Sequence, residues 1–305
     1  MVKTASMTGY LRLVRLPNVF TALADILTGH LIMGAMFGES SPRTLLPLGG
    51  ASAALYLSGM AFNDIADRKE DAQFRPNRPL PSGQVSMAGA VACGALLMAL
   101  GIGLACSAGR VPLNYAFYLA AAILLYDFAA KGIPVIGPAA LGFCRFYNLQ
   151  LGMSAHPDFV DALATFYVIQ VPWSPALAVG IYAAGLTAFS AQEETGKQVR
   201  SIVTGWIFCG LGIALATLTA PTKWGWLLIG PLLLLLVYLS VRLLKTGTPG
   251  AARNLVRAGV MGICALDAGM ILGFGELKSW PYALACLGLL VPGLAVGKWL
   301  AQKEA

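Results

Sequence analysis

A succession of apolar stretches, each close to the length of a bilayer crossing, restricts this chain more than any other feature. They cover about 17–37, 44–62, 86–107, 112–130, 134–154, 173–192, 200–219, 224–243, 255–274 and 280–300. The hydrocarbon core of a bilayer is about 30 Å thick, which a helix crosses in roughly 20 apolar residues. Lipid offers the backbone no hydrogen bonds, so only helices and closed barrels can cross it. The runs are continuous rather than alternating, which selects helices. The expected fold is all-α, a polytopic transmembrane helix bundle forming a single integral membrane domain over residues 1–305. Composition agrees: 57% of the residues are hydrophobic and 11% charged, too little charge to coat a water-soluble protein of this length. The six cysteines are scattered through apolar segments without metal-ligand spacing, as small packing residues would be.

Ten spans would put both termini on one side of the membrane. That side collects Lys3, Arg12, Arg15, Arg68, Lys69, Arg75, Arg78, Lys131, Lys197, Arg200, Arg242, Lys245, Arg253, Arg257, Lys298 and Lys303, against Arg43, Arg110, Lys223 and Lys278 on the other. By the positive-inside rule the richer side is cytoplasmic. The expected location is a bacterial inner membrane, with both termini and the acidic motifs in the cytoplasm. The net charge of +7 then reads as topology and attraction to anionic membrane lipid. The bases are dispersed among helix ends, so no nucleic-acid partner is expected.

Charge is concentrated at one place, residues 63–83, NDIADRKEDAQFRPNRPLPSG. If the second span continues as a helix through it, Asp64, Asp67 and Asp71 fall on one face. Carboxylates stacked in this way repel and invite a countercharge. Hard oxygen donors suit Mg²⁺, which typically takes one or two carboxylates together with phosphate oxygens and water. Arg68, Lys69, Arg75 and Arg78 follow at once, and arginine forks match phosphate oxygens. Metal-binding acids beside phosphate-binding bases at a membrane surface suggest a lipid or isoprenoid diphosphate. The plainer alternative is a solvated loop with local salt bridges.

The pattern of Asn63, Asp64, Asp67 and Asp71, followed by RPNRPLPSG, resembles the first aspartate-rich motif of the UbiA superfamily of intramembrane prenyltransferases. Other landmarks fall in that family's order. Tyr126 and Lys131 in YDFAAKGIP are similar to its Tyr…Lys element before the fifth helix. Arg145 and Asn148 in GFCRFYNLQLG resemble polar residues of its central cavity, and Asn18 in RLPNVF resembles one on its first helix. The resemblance covers about residues 10–275 and implies a nine-helix core, with the stretch at 280–300 as an additional C-terminal span. The family's second Asp-x-x-x-Asp motif is replaced by FSAQEETGKQ, with Glu193, Glu194 and Lys197; this form is similar to the EboC-type branch.

What the resemblance implies is Mg²⁺ held by Asp64, Asp67 and Asp71 with Glu193 and Glu194. Lys131 and Arg145 would join the aspartates in catalysis. Asn18, Asn63, Arg75, Arg78, Tyr126, Asn148 and Lys197 would bind a polyprenyl diphosphate, and the isoprenoid would pass to an aromatic or other lipophilic acceptor. A non-catalytic prenyl-lipid-binding component or a membrane transporter are the alternatives. The remaining ionisable residues inside spans, Asp25, Asp127 and Asp267, are expected to face a cavity or a partner, because isolated charge is costly in lipid. Asp25 and Asp127 are the expected candidates for pairing with Arg145.

Overall fold

The structure is a computed structural model that describes residues 7–164, 171–190 and 199–302. Among these residues all regular structure is helical. The short α1 (Met7–Leu13) is followed by a 3₁₀ turn at Leu16–Asn18 and then α2 (Val19–Phe37), α3 (Pro42–Ala66) and α4 (Arg68–Phe74). Next come α5 (Met87–Ala108), α6 (Arg110–Leu125), a π-helical turn at Tyr126–Ala130, α7 (Ile136–Met153) and α8 (Phe159–Ala164). The chain continues through α9 (Trp173–Ser190), α10 (Val199–Leu218), α11 (Trp226–Thr246), α12 (Pro249–Gly275), α13 (Trp280–Gly288) and α14 (Leu290–Gln302).

Local chemistry sets several of these boundaries. The Ser86 and Thr248 hydroxyls accept from the backbone N–H of Gly89 and Ala251, capping α5 and α12. Pro249 opens α12 where its missing N–H costs nothing. Gly247, at φ 61°, ends α11 in the left-handed region, so a tight hairpin joins the two helices.

Among the described residues, eight of the ten expected stretches are helices long and apolar enough to cross a membrane. The other two, expected at 134–154 and 173–192, are α7 and α9, of 18 residues each. Both lie inside the bundle, where a helix need not be apolar all round, and α7 carries Arg145, Asn148 and Gln150. The protein is an integral, multi-pass membrane protein. Burial runs from 61% and 67% in the spans of α2 and α12 to 22% in that of α5. The exposed side chains of α5, α10 and α11 include Leu96, Leu100, Val203, Ile207, Leu234 and Tyr238, a surface suited to lipid. The C-terminal span is bent at Leu289 into α13 and α14, and α14 packs on the 3₁₀ turn before α2.

Helices in lipid gain little from apolar burial against one another, so close approach matters more. The α2–α7 contact depends on it. A Cβ on Gly29 would lie 2.4 Å from the Leu149 carbonyl oxygen, and one on Gly152 would lie 2.5 Å from that of Ile26. Gly152→Ala is therefore expected to force the two helices apart at a cost of about 1–3 kcal/mol. Gly103→Ala, with nothing within 4 Å of the added carbon, should be neutral or slightly stabilising. Thermal unfolding in detergent compares the two, and equal melting temperatures would refute the close-packing argument.

Candidate functional site

A cavity of about 940 Å³ penetrates one end of the bundle, where α3, α6 and α9 finish and α12 begins. That volume is near the upper end of the range of roughly 300–1,000 Å³ for small-molecule sites. Its apolar wall includes Met60, Leu119, Ile123, Leu141, Leu186 and Met261. Polar side chains gather in three places: the mouth beside α3, the floor beneath it, and the first turns of α12.

The mouth is built by the charged stretch after α3. The coil carries on past Ala66, since Asp67 N–H donates to the Asn63 carbonyl (2.9 Å) and Asp71 N–H to that of Asp67 (2.8 Å). It ends at Arg75, which precedes Pro76 and is turned out of the helical region. The expected common face holds for two of the three aspartates. Arg78 donates to both Asp64 (3.2 Å) and Asp71 (2.7 Å), and Arg75 approaches Asp71 at 3.5 Å. Asp67 turns instead toward Lys131, which donates to it. The π-helical turn delivers that lysine: the Lys131 N–H reaches back to the Tyr126 carbonyl, and such turns often mark functional positions.

Arg15 completes the mouth from the opposite end of the sequence. Its backbone is in the left-handed region (φ 47°, ψ 48°), uncommon for a residue with a Cβ. Its guanidinium donates to Asp64 (2.9 Å) and to the Asn63 side-chain oxygen (3.2 Å). Burial by itself would lower the Arg15 pKa; Asp64, Tyr56 and Asp67 together outweigh this, and the net direction is upward. Asn63 in turn donates to Asp127 (3.1 Å), whose second carboxylate oxygen is buried without a hydrogen-bond partner among the described residues.

On the floor, Arg145 donates to Asp25 (3.1 Å) and to the Thr21 hydroxyl (2.7 Å), and its guanidinium lies 5.8 Å from the Tyr56 ring centroid. Asn148 donates to Asp25 (2.8 Å) and to the Ala22 carbonyl, and accepts from Ser52. Of the two expected candidates for pairing with Arg145, Asp25 is the one in contact. Asp267 is fully buried, with its carboxyl group against that of Asp25.

Of the residues singled out in the sequence, Asn18, Asn63, Asp67, Arg75, Arg78, Tyr126, Lys131, Arg145 and Asn148 line this cavity. Asp64 and Asp71 stand behind them, with side chains 4% and 1% exposed, tied in through the arginines. Glu193, Glu194 and Lys197 lie outside the described residues. Arg15, Arg253 and Arg257 were read only as markers of topology, and Tyr56 and Asn254 were not singled out; all five line the cavity. The one signal for the α12 group was the spacing of its two arginines by four residues.

Among the described residues no three acidic, histidine or cysteine side chains are grouped closely enough to hold a metal ion by themselves. Mg²⁺ does not require such a cage, because it is commonly held by one or two carboxylates plus substrate phosphate. A cavity-facing Asp67 with Asp64 and Asp71 behind it is a donor set of that kind.

The sequence model of the UbiA prenyltransferase family matches residues 22–258. The chain belongs to the UbiA prenyltransferase family. It is thus an intramembrane prenyltransferase, of an enzyme class rather than a transport class. Among relatives, the digeranylgeranylglyceryl phosphate synthase of Methanopyrus kandleri is 27% identical over 87% of this chain and all of that protein. The protein of the same name from Sulfolobus acidocaldarius is 26% identical over 90% of this chain and 99% of its own length. The fold is similar to that of a UbiA homologue from Archaeoglobus fulgidus bound to GPP and Mg²⁺, with a TM-score of 0.65, 15% identity, and coverage of 92% of this chain and 99% of that one. The EboC-like placement rests on Glu193 and Glu194, outside the described residues.

Proposed function

We propose that this UbiA-family protein transfers an isoprenoid group from a polyprenyl diphosphate to a lipophilic acceptor held in the same cavity, with Mg²⁺ as cofactor. The observation that carries this reading is a mouth of paired acids and bases above an apolar chamber opening within the bundle. An amphiphilic diphosphate needs those two environments in one cavity.

In this reading Asp64, Asp67 and Asp71, with Glu193 and Glu194, would hold Mg²⁺. Bound there, the ion supplies neutralisation of charge on the departing phosphate oxygens. Arg75, Arg78, Lys131 and Lys197 bind the same oxygens, with Asn18, Asn63 and Tyr126 placing the head of the donor. The carbon–oxygen bond at the allylic carbon breaks and its electron pair leaves with the diphosphate. The acceptor supplies the pair for the new bond and releases its proton. Cations already positioned toward the leaving group lower the barrier without reorganising. The apolar walls keep water from the allylic centre.

The relatives' name makes a glyceryl phosphate the first acceptor to test, ahead of an aromatic one. The mouth is assigned to the cytoplasmic side on the basic residues of the loops. Membranes containing the protein, given Mg²⁺, radiolabelled geranylgeranyl diphosphate and either acceptor, should release diphosphate and yield a labelled prenylated product. Diphosphate retention with every acceptor would count against the reading.

A further inference from the structure

The basic groups in the cavity are not equivalent. Those at the mouth and floor are committed: Arg15 and Arg78 to Asp64, Lys131 to Asp67, Arg145 to Asp25. Arg253 and Arg257 line the same cavity, yet no ion pair or hydrogen bond engages either among the described residues. They stand one turn apart on α12 with Asn254 between them, so the two guanidinium groups share a face. Both are exposed, while the helix beneath them is anchored by buried Ala252 and Leu255. A pair of positive charges without a counter-ion among the described residues, at the rim of an apolar chamber, is a poor structural element and a suitable anion site.

The two charged groups also occupy different walls. The aspartates and their partners come from the turn before α2, from α3, α4 and the segment after it, and from the turn after α6. By contrast α12 packs on α2, α9, α11 and α13. Below Arg253 and Arg257 the α12 side of the chamber is apolar, with Val256, Val260, Met261 and Ile263, joined by Leu186 of α9 and Leu294 of α14. An anion gripped by these arginines would hang an alkyl chain along that side, separate from the acidic mouth.

We propose that Arg253, Asn254 and Arg257 form the acceptor's phosphate site, and that the acceptor is an anionic lipid monophosphate. This rests on the prenyl-transfer reading above and adds the substrate's charged group. Arginine forks bind phosphate oxygens in pairs, and Asn254 can donate a further hydrogen bond. The donor diphosphate and the acceptor phosphate would then be held on different elements of the cavity wall.

The test measures binding rather than turnover. Purified protein in detergent is titrated with a glyceryl phosphate carrying one geranylgeranyl ether, and with the same lipid lacking the phosphate. Donor-site binding is followed separately with a non-hydrolysable geranylgeranyl thiodiphosphate and Mg²⁺. Wild type should prefer the phosphorylated lipid by at least about tenfold. Arg253→Gln with Arg257→Gln should remove that preference, leaving thiodiphosphate affinity and the melting temperature unchanged. Arg253→Lys with Arg257→Lys should keep part of it, since charge remains and the fork is lost.

Equal binding of the two lipids by wild type, or binding of neither, overturns the proposal. So does an equal loss of thiodiphosphate affinity in the Gln variant, which would assign the pair to the donor. Displacement of the phosphorylated lipid by equimolar phosphatidylglycerol, as effective as by the lipid itself, would make the pair an anchor for bulk headgroups and overturns it too. The broader reading fails differently: thiodiphosphate would not bind to wild type and no acceptor would elicit diphosphate release, whatever the lipid preference.

Discussion

Asp67→Asn should lower the rate of diphosphate release by about 10²–10³-fold, the scale of losing one preorganised electrostatic contact to a transition state. Asp67 is the one of the three motif aspartates that lines the cavity, and it holds Lys131. The substitution keeps the shape and removes the charge that would serve both metal and lysine. With its side chain 15% exposed, Asp67 should contribute little to stability, so the melting temperature should stay near that of wild type. Asp64→Asn should show the same loss of rate together with lower stability, since Asp64 is 4% exposed and binds both Arg15 and Arg78. Chelation of Mg²⁺ should reproduce the rate defect in wild type. Initial rates with radiolabelled donor decide the matter. Unchanged turnover in both variants would remove the aspartates from the reaction.

The second large effect is expected at Arg145. Its side chain is 12% exposed and its partner Asp25 is fully buried. Arg145→Met leaves that carboxylate without its cation, which costs about 3–5 kcal/mol when a buried pair is broken from one side. Asp25→Asn in the same chain removes the stranded charge and should recover most of the stability. The double variant then separates two roles. Recovered folding with recovered turnover would make the pair a packing device between α2 and α7. Recovered folding without turnover would give Arg145 a direct part in handling substrate, consistent with its place on the cavity floor. Failure of Asp25→Asn to restore stability would contradict the pairing itself.

Much of the site was readable in the chain because its signals are local. The spacing of Asp64 and Asp71 is helical, and the structure places both on Arg78. The same reasoning put Asp67 on that face, but a neighbour 64 residues away turned it aside: Lys131, carried there by the π-helical turn. Long-range pairing of this kind leaves no periodic trace. Arg15 was legible only as a positive charge before a span; its left-handed backbone and its reach to Asp64 depend on α2 and α3 being adjacent. The choice of Asp25 over Asp127 as partner of Arg145 was equally hidden. It follows from the close contact of α2 and α7 at Gly29 and Gly152.

The apolar runs by themselves determined that this protein is a helical bundle in a membrane, because lipid leaves backbone groups no other solution. The residue order of the motif left a solvated, salt-bridged loop and a phosphorylated-lipid site both open, and its resemblance to the UbiA family pointed to the second. Only the tertiary structure decided which charges are spent on one another among the described residues. Ion pairing depends on distances between helices remote in sequence. For that reason Arg78 and Arg257, alike as residues in a list of basic side chains, differ in the folded protein: Arg78 is paired with Asp64 and Asp71, and Arg257 has no ion pair among the described residues.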